Sequence, residues 1–434
     1  MIAEAPGRGQ ESRANVLVLY ALLNYPLRST VEDHLYAFER FSGHRVFYVN
    51  LAVRSIPERL LQTRFDLVVF HTSLLSARWV LWLWRRVVSR ALALPRRDEV
   101  RAAFPQDEFL RTALVSEFIA DADADIVFSV APESEWPKLY PEVDRNRVRF
   151  HRVLTGYLDD QHTLERIRRL DRPMGDRPVA VGYRASSARP WLGRHGLLKV
   201  SVAEDVRRAA LSRGLTVDIS TRTADTLLGD DWFRFLARCR YQVGVEGGAS
   251  VLDLDGSIKE RTEAFLHSNA GASFEQVEAA CFPGRDGEIA LYALSPRHLE
   301  ACATRTCQIL LEGGYNGVLQ PGLHYIELKH DLSNVDEVLD VVQRDELRGD
   351  VVARAYQDVV ASGRYTYRAF VQEVERLALR PPYGRTAPSD DRNWTITRRL
   401  DRLSWRDVAV RARALQIGSR MLGPTARRVR YRRA

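Results

Sequence analysis

Continuous apolar segments alternate with amphipathic helical segments along the first third of the chain. Four apolar segments stand out, at residues 15–23, 44–52, 65–75 and 124–132. Segments without polar interruptions are typical of strands buried on both faces of a sheet. The stretch that begins near residue 30 instead has apolar residues at helical spacing. Alternating strands and helices indicate βαβ units and therefore a parallel sheet.

A second series of the same kind follows a segment rich in proline, glycine and arginine at 171–178. Helical patterns separate its predicted strands, which are 179–184, 215–220, 241–248, 306–313 and 324–329. We predict an α/β fold with two doubly wound parallel-sheet domains, an N-terminal one at 13–170 and a C-terminal one at 178–380. Helices are expected after the second domain.

The positive charge is concentrated near the C-terminus. The 434 residues have a formal net charge of +8, but residues 394–434 alone carry 12 Arg and two Asp, so the rest of the chain is nearly neutral. Helical spacing in this tail puts Arg402 and Arg406 on one face and Trp405 and Val408 on the other. The segment 394–434 is therefore predicted to be a basic amphipathic helix.

A second helical segment combines arginine with tryptophan, including Arg78, Arg85 and Trp82. This combination suits an anionic membrane surface, where aromatic rings sit among headgroups and Arg meets phosphates. An amphipathic helix packed on its own domain explains the same pattern, and both interpretations stay open here and for the tail.

No apolar stretch approaches the roughly 20 residues of a membrane-spanning helix. The N-terminus lacks the apolar segment of a secretory signal. We therefore expect a cytoplasmic protein, with peripheral contact at the inner face of the cell membrane as an open alternative. No nucleic-acid partner is expected, because no zinc-finger spacing or aromatic sheet motif accompanies the charge.

Several enzyme classes lose support because their motifs are absent. No GxGxxG follows the first strand, and neither GxxxxGK[ST] nor GxSxG occurs, which argues against dinucleotide oxidoreductases, P-loop enzymes and α/β-hydrolases. The four cysteines form no CxxC pair, and we expect no metal site. Parallel sheets bind ligands beyond the carboxyl ends of their strands, so two facing sheets make a cleft that can hold two substrates.

The C-terminal domain has the stronger candidate residues. Arg184 ends a strand and Lys199 precedes a helical pattern, which is how a fold holds a diphosphate, although a solvated basic loop has the same spacing. Glu246 lies at a glycine-rich strand exit and could bind sugar hydroxyls, or the segment is a plain turn. Arg297 and Glu300 lie in a predicted first helical turn, where a carboxylate can accept hydrogen bonds from a ribose diol.

The segments SPRHLEA, LLEGGYNG and HYIEL resemble those of GT-B glycosyltransferases of the family 1 and family 4-like groups. The resemblance is clearest between Val181 and Asn334. Many of these enzymes bind the donor through a Glu-x7-Glu motif, whose second Glu holds the ribose. Glu300, between Leu299 and Ala301, fits that second position, but Tyr292 stands where the first Glu would be. Which residue meets the donor sugar is therefore open.

The resemblance implies two Rossmann-like domains that face a cleft, with the acceptor on the N-terminal one and a nucleotide-diphosphate sugar on the C-terminal one. It also implies a hexosyltransferase that retains anomeric configuration and uses neither a bound metal nor a cofactor. In the N-terminal domain, His34 and His71 are candidate catalytic residues because a histidine near the cleft can act as a base. The segment 105–108 is a candidate cleft loop.

We predict transfer to a glycan or lipid-linked acceptor, in the biosynthesis of surface polysaccharide. An alternative is a catalytically silent GT-B-like partner protein that binds a nucleotide-sugar or a glycan, an interpretation favoured by Tyr292. A sugar-nucleotide epimerase on the same fold is a further alternative.

Overall fold

The computed structural model describes residues 13–25, 27–186, 188–381, 383 and 388–421, and among them two parallel sheets. The strands of the N-terminal sheet are β1 Asn15–Tyr20, β2 Arg45–Asn50, β3 Leu67–Phe70, β4 Val100–Ala103, β5 Ile126–Ser129 and β6 Arg149–Arg152. Those of the second sheet and a small antiparallel pair are β7 Val179–Arg184, β8 Val217–Ser220, β9 Cys239–Gly244, β10 Gly247–Ala249, β11 Leu291–Ala293, β12 Cys307–Leu311 and β13 Ile326–Leu328.

Helices follow most of the strands. They are α1 Ser29–Leu35, α2 Ala37–Phe41, α3 Glu58–Gln62, α4 Thr72–Leu75, α5 Leu81–Ala91, α6 Thr112–Asp121, α7 Trp136–Leu139, α8 His162–Leu170, α9 Gly193–Ser212, α10 Asp230–Arg238, α11 Ser257–Ser268, α12 Phe274–Cys281, α13 Pro296–Ala303, α14 Val335–Arg344, α15 Arg348–Ala355, α16 Tyr367–Ala378 and α17 Pro388–Met421. No helix of the described residues is both long and apolar enough to cross a membrane.

The strand orders confirm the predicted doubly wound α/β architecture. The N-terminal sheet has the order β2-β1-β3-β4-β5-β6 and the second sheet β13-β12-β9-β7-β8, with every neighbouring pair parallel. In both sheets the first strand lies between the second and the third. Chain order therefore reverses beside the first strand, and in such sheets the ligand site lies at this reversal, beyond the carboxyl ends of the strands.

Both sheets have a hydrophobic core on each face, which explains the uninterrupted apolar sequences. In β1, Leu17 and Leu19 pack on one side, while Val16, Val18 and Tyr20 pack on the other. Side chains alternate between the two faces of a strand. A strand buried on both faces therefore lacks the alternating apolar and polar pattern of a half-exposed strand.

Two strands of the N-terminal sheet have no apolar sequence pattern. β4 contains Arg101, which is buried because its guanidinium donates to the carboxylate of Glu99 and to the carbonyl oxygen of Ala122. β6, an edge strand with the sequence RFHR, is half-buried at most of its positions. The predicted strand at 65–75 ends earlier than expected, because Thr72 already begins α4.

Segments of the predicted C-terminal range 178–380 pack against the N-terminal sheet. Val251, Val277 and neighbouring apolar residues of the α11–α12 region share a core with the N-terminal domain. The chain also returns from the second domain through α16, whose Phe370 and Val374 pack on the opposite face of the N-terminal sheet. The two sheets are therefore connected by more than the 171–178 segment.

The first part of the basic tail packs on the protein. In α17 the indole of Trp405 donates to the hydroxyl of Tyr36 and stacks on Tyr20, with ring centroids 6.1 Å apart. The carboxylate of Asp401 accepts hydrogen bonds from the same two tyrosines at 2.5 and 2.8 Å. One face of α17 therefore packs on the N-terminal domain, while Leu403 and Val410 on the same helix are exposed. Residues 422–434 lie outside the described residues.

One prediction for the arginine- and tryptophan-rich segment is wrong. Arg78 does not share an exposed face with Trp82, since it lies in a 3₁₀ turn at 76–79 and its side chain is fully buried. Helix α5 begins after it at Leu81 and exposes Arg85 and Arg86.

Candidate functional site

A cavity of about 460 Å³ lies between the two domains, at the carboxyl ends of both sheets. The predicted donor-binding residues all line it, namely Arg184, Lys199, Glu246, Arg297 and Glu300. The N-terminal domain contributes the start of α1 and the loop after β4, through Ser29, Thr30 and Asp107. The volume is in the range of small-molecule sites. Side chains far apart in sequence are thus brought into one enclosure, although their individual roles stay predictions.

Glu300 is buried in the wall of the cavity on helix α13. The helix starts at Pro296 after the cap Ser295, whose hydroxyl accepts from the backbone N–H of Arg297. The Glu300 carboxylate accepts a hydrogen bond from the indole N–H of Trp232 at 2.7 Å. Burial raises the pKa of Glu300, while the Trp232 bond and the charge of Arg297 act in the opposite direction. One carboxylate oxygen is thereby fixed, which orients the group.

Two cations are placed to meet an anion in the cavity. The Arg297 guanidinium donates to the carbonyl oxygen of Arg184 at 2.7 Å and lies over the Trp232 ring, 5.4 Å from its centroid. Lys199 lies inside α9, so the prediction that it precedes a helix is wrong, because the helix already begins at Gly193. Its ammonium forms no hydrogen bond or ion pair with the described residues. Burial lowers the pKa of Lys199, and the charge of Arg297 lowers it further. An anionic ligand would relieve this repulsion, which favours its binding between the two side chains.

Arg184 lines the same cavity, but its guanidinium is engaged elsewhere. It donates to the carboxylate of Asp218 at 2.5 Å and to the carbonyl oxygen of that residue at 2.8 Å. The group also lies over the ring of Phe235, 4.5 Å from its centroid. Arg184 therefore enters the cavity wall already paired with Asp218, and its role as a diphosphate clamp stays a prediction.

Glu246 supports the glycine-rich loop after β12. Its carboxylate accepts hydrogen bonds from the backbone N–H groups of Gly314 and Tyr315 at 3.1 and 2.7 Å. Burial raises its pKa, and these two bonds oppose the rise. A side chain at Gly313 would meet the carboxylate of Glu246, since a Cβ there would lie 2.6 Å from Oε2. Glu246 thus positions one wall of the cavity as well as facing into it.

Comparisons with solved structures identify this arrangement. An α-glucosyltransferase in complex with UDP-glucose and DNA is 10% identical over 84% of this chain and 98% of its own, with a TM-score of 0.50. HepE from Anabaena in complex with UDP is 11% identical over 84% and 99% of the two chains, with a TM-score of 0.45. Sucrose-phosphate synthase from Thermosynechococcus elongatus is 12% identical over 84% and 98%, with a TM-score of 0.42.

The chain has the GT-B fold. At this level of identity the similarity concerns the fold, and it agrees with the two facing domains expected from the sequence. No family model matches the chain, and no curated protein is similar to it in sequence.

The two histidines predicted as catalytic do not line the GT-B cavity. His34 and His71 are buried, and their rings are joined by a hydrogen bond of 2.8 Å between Nδ1 of His34 and Nε2 of His71. The backbone N–H of Ser73 donates to Nδ1 of His71. Burial lowers the pKa of His34 to about 4 and that of His71 well below its usual range. Both rings are therefore neutral at pH 7, and the geometry gives a catalytic role for either no support.

Asp107 and Gln242 are among the residues of the cavity wall that were not predicted as site residues. Asp107 projects from the loop after β4, and Gln242 lies in β9. The side-chain oxygen of Gln242 is buried without a hydrogen-bond partner among the described residues, which suits a ligand that donates one. For Asp107 the sequence offered one indication, its place in the candidate cleft loop 105–108. For Gln242 it offered none, because this residue lies inside an apolar strand.

The position of the missing motif Glu is also defined. Tyr292 lies in β11 opposite Gly248, and its ring stacks on His195 with centroids 3.7 Å apart. Gly248 has φ +123°, and a Cβ there would lie 1.8 Å from the carbonyl oxygen of Leu291. The tyrosine thus packs on α9 instead of presenting a carboxylate to the cavity.

Proposed function

We propose that the protein is a glycosyltransferase that moves a hexosyl group from a nucleotide-diphosphate sugar to a hydroxyl of a glycan or lipid-linked acceptor. The observation that carries the proposal is the cavity between the GT-B domains, which is lined by the cations Lys199 and Arg297 and has an oriented, buried carboxylate in one wall. A solvated basic loop would have neither the enclosure nor the buried carboxylate.

The donor would bind to the C-terminal domain. Lys199, Arg297 and the amino end of α13 form a positive region suited to the diphosphate, which also carries the leaving charge of the reaction. Glu300 has one oxygen held by Trp232, and the other is available to a ribose diol. Under this proposal cationic side chains do the work of a metal ion, and no cofactor takes part. Retention of anomeric configuration and membership of the family 4-like group rest on the sequence resemblance.

The acceptor would enter from the N-terminal domain. Helix α5 of that domain exposes 56% of Trp82 and 38% of Leu81 next to Arg85 and Arg86. An exposed tryptophan beside arginines suits the headgroup region of an anionic membrane. We propose that α5 makes peripheral contact with the inner face of the cell membrane, where a lipid-linked precursor of surface polysaccharide would be reached. Replacing Trp82 by Ser should weaken sedimentation with anionic vesicles, whereas Leu211→Ser, an exposed leucine on α9, should not.

A catalytically silent nucleotide-sugar or glycan-binding protein is the second candidate. The specific observation in its favour is Tyr292, which places an aromatic ring where related enzymes have a carboxylate. Both candidates would bind a nucleotide-sugar, but only the glycosyltransferase would turn it over.

Release of nucleotide from UDP-, GDP- and dTDP-sugars therefore tests the proposal. We expect one nucleotide class to be released, faster in the presence of a membrane glycolipid extract, with sugar incorporated into the extract. Saturable nucleotide binding without release or incorporation would contradict the catalytic proposal and favour the silent protein. An epimerised nucleotide-sugar formed without an acceptor would contradict both.

A further inference from the structure

A second cavity, of about 300 Å³, is lined by residues of both domains. It is formed by the end of β6 and the segment after it, by the loop after β12 and by the first half of α16. We call it the β6–α16 groove, and its lining includes Arg152, Tyr157, Asn316, Arg364, Tyr365 and Phe370. The volume is at the lower end of the range for small-molecule sites, which suits a ligand smaller than a nucleotide-sugar.

The β6–α16 groove shares a wall with the donor cavity. In the loop after β12, the backbone N–H groups of Gly314 and Tyr315 donate to the carboxylate of Glu246, which lines the donor cavity. The next residue, Asn316, lines the groove. The same short loop therefore borders both spaces.

Arg152 brings an uncompensated positive charge to the groove. It ends β6, and its guanidinium forms no hydrogen bond or ion pair with the described residues, although its Nε is buried. Burial lowers the pKa of Arg152, while the charges of Glu246 and Glu133 act in the opposite direction. Buried polar groups in proteins normally have partners, and an anionic ligand would supply one here.

The other charged groups of the lining leave the groove positive. Arg364 forms no ion pair with the described residues, and its guanidinium makes only a long contact of 3.5 Å to the carbonyl oxygen of Asp358. The acidic residue of the lining is Glu373, whose two carboxylate oxygens each accept a hydrogen bond of 2.7 Å from Arg376. Its charge is therefore already balanced, and the two arginines face the groove without a counter-ion.

The uncharged part of the lining suits a sugar ring. Tyr157 and Tyr365 are partly exposed, and the Tyr157 ring is fixed by stacking on Phe370, with centroids 4.8 Å apart. The C–H faces of a pyranose are apolar and pack on the electron-rich faces of aromatic rings. The side-chain oxygen of Asn316 accepts from the backbone N–H of Leu294 at 2.6 Å. Its amide nitrogen has no partner among the described residues and can donate to a sugar hydroxyl.

We propose that the β6–α16 groove binds an acidic sugar unit of the glycan acceptor, with the sugar ring on the tyrosines and its carboxylate at Arg152. The inference rests on the glycosyl transfer proposed above and assigns its acceptor to the acidic glycans. A neutral sugar would leave the guanidinium unpaired, and a small inorganic anion would leave the aromatic rings uncovered.

Ligand-observed NMR titration of the full chain tests the binding. The probes are methyl β-D-glucuronide, methyl β-D-glucoside, which has a hydroxymethyl group in place of the carboxylate, and inorganic phosphate. We expect the glucuronide to bind about tenfold more tightly than the glucoside, and Arg152→Gln to abolish this preference. Arg149→Gln is the matched control, because Arg149 is exposed on the same strand and lies outside the lining. Arg152→Gln should keep the melting temperature, since the side chain has no partner to lose.

A second variant separates a sugar site from a simple anion site. Tyr365→Leu should weaken glucuronide binding about threefold or more and leave phosphate binding unchanged. In the incorporation assay with glycolipid extract, Arg152→Gln should raise the KM for the extract, while its calorimetric Kd for the nucleotide changes by less than about threefold.

Three results would overturn the inference. They are equal affinities for the glucuronide and the glucoside, equal glucuronide binding by Arg152→Gln and Arg149→Gln, and phosphate binding tighter than glucuronide binding with no effect of Tyr365→Leu. A folded wild type that binds the glucuronide but neither binds nor releases a nucleotide would instead contradict the proposed function, and with it the acceptor role of the groove. The sugar titration and the nucleotide titration therefore distinguish the two failures.

Discussion

Replacement of Arg78 by Met removes the buried guanidinium that links the 3₁₀ turn after α4 to the loop carrying Asp107. The group donates four hydrogen bonds to carbonyl oxygens, those of Leu75, Gln106, Asp107 and Leu110. Hydrogen bonds to a charged group contribute roughly 1.5–3 kcal/mol each. Burial lowers the pKa of Arg78, which shows that holding the charge inside costs free energy. That cost, several kcal/mol for a buried ion, is recovered in the variant.

The loss of the bonds outweighs the recovered cost, so we expect Arg78→Met to lower the free energy of unfolding by about 2–4 kcal/mol. Urea denaturation followed by tryptophan fluorescence measures this directly. Arg85→Met is the control, because Arg85 is exposed on α5 and should change stability by less than about 0.5 kcal/mol. Equal stabilities of the two variants would refute the claim that Arg78 fixes this loop.

The remaining predictions concern charge and pH. Lys199→Ala should weaken nucleotide binding about tenfold or more in calorimetry, a loss of about 1.4 kcal/mol or more. Arg184→Ala should mainly lower the melting temperature, because the guanidinium of Arg184 is bound to Asp218. The reverse result would restore Arg184 as the diphosphate ligand. Burial lowers the pKa of His34 to about 4, so the unfolded state binds more protons than the folded state below its ordinary pKa near 6.5. Stability should therefore fall as the pH is lowered from about 6.5 towards 4, and urea midpoints in His34→Leu should depend less on pH over that interval. Asp401→Ala leaves the hydroxyls of Tyr20 and Tyr36 without their acceptor, so it should lower the free energy of unfolding by about 1–3 kcal/mol without changing vesicle binding. Weaker vesicle binding at unchanged stability would assign α17 to the membrane instead.

Buried strands that consist of apolar residues can be predicted from the sequence. A strand that buries a polar residue cannot, because its burial depends on hydrogen-bond partners from other segments. β3 is apolar at every position and β1 at every position after Asn15, whereas β4 has a buried arginine whose partners, Glu99 and Ala122, come from neighbouring segments. The same reason explains Arg78, which looks like part of an exposed basic face until the loop carbonyls that bind it are known.

The candidate site shows the same division. Positions at strand ends predict Arg184 and Glu246, because a parallel sheet brings those ends to one edge. A predicted first helical turn and the resemblance to GT-B enzymes indicate Arg297 and Glu300. Orientation is not predictable in this way, so the engagement of Arg184 with Asp218 and the mutual contact of the two histidines come from the structure. Asp107 follows a strand too short and too polar to recognise, which hides its position in the cavity.

The most direct test of the donor site is calorimetric titration of the folded protein with UDP, GDP, dTDP and their sugar conjugates. Glu300→Ala removes the oriented carboxylate, and Glu337→Ala on the exposed face of α14 is the control. We expect one nucleotide class to bind saturably, with affinity at least tenfold weaker in Glu300→Ala, a loss of about 1.4 kcal/mol or more, and unchanged in Glu337→Ala. Equal affinities in the two variants, or no binding of any nucleotide, would contradict the assignment of this cavity to a nucleotide-sugar.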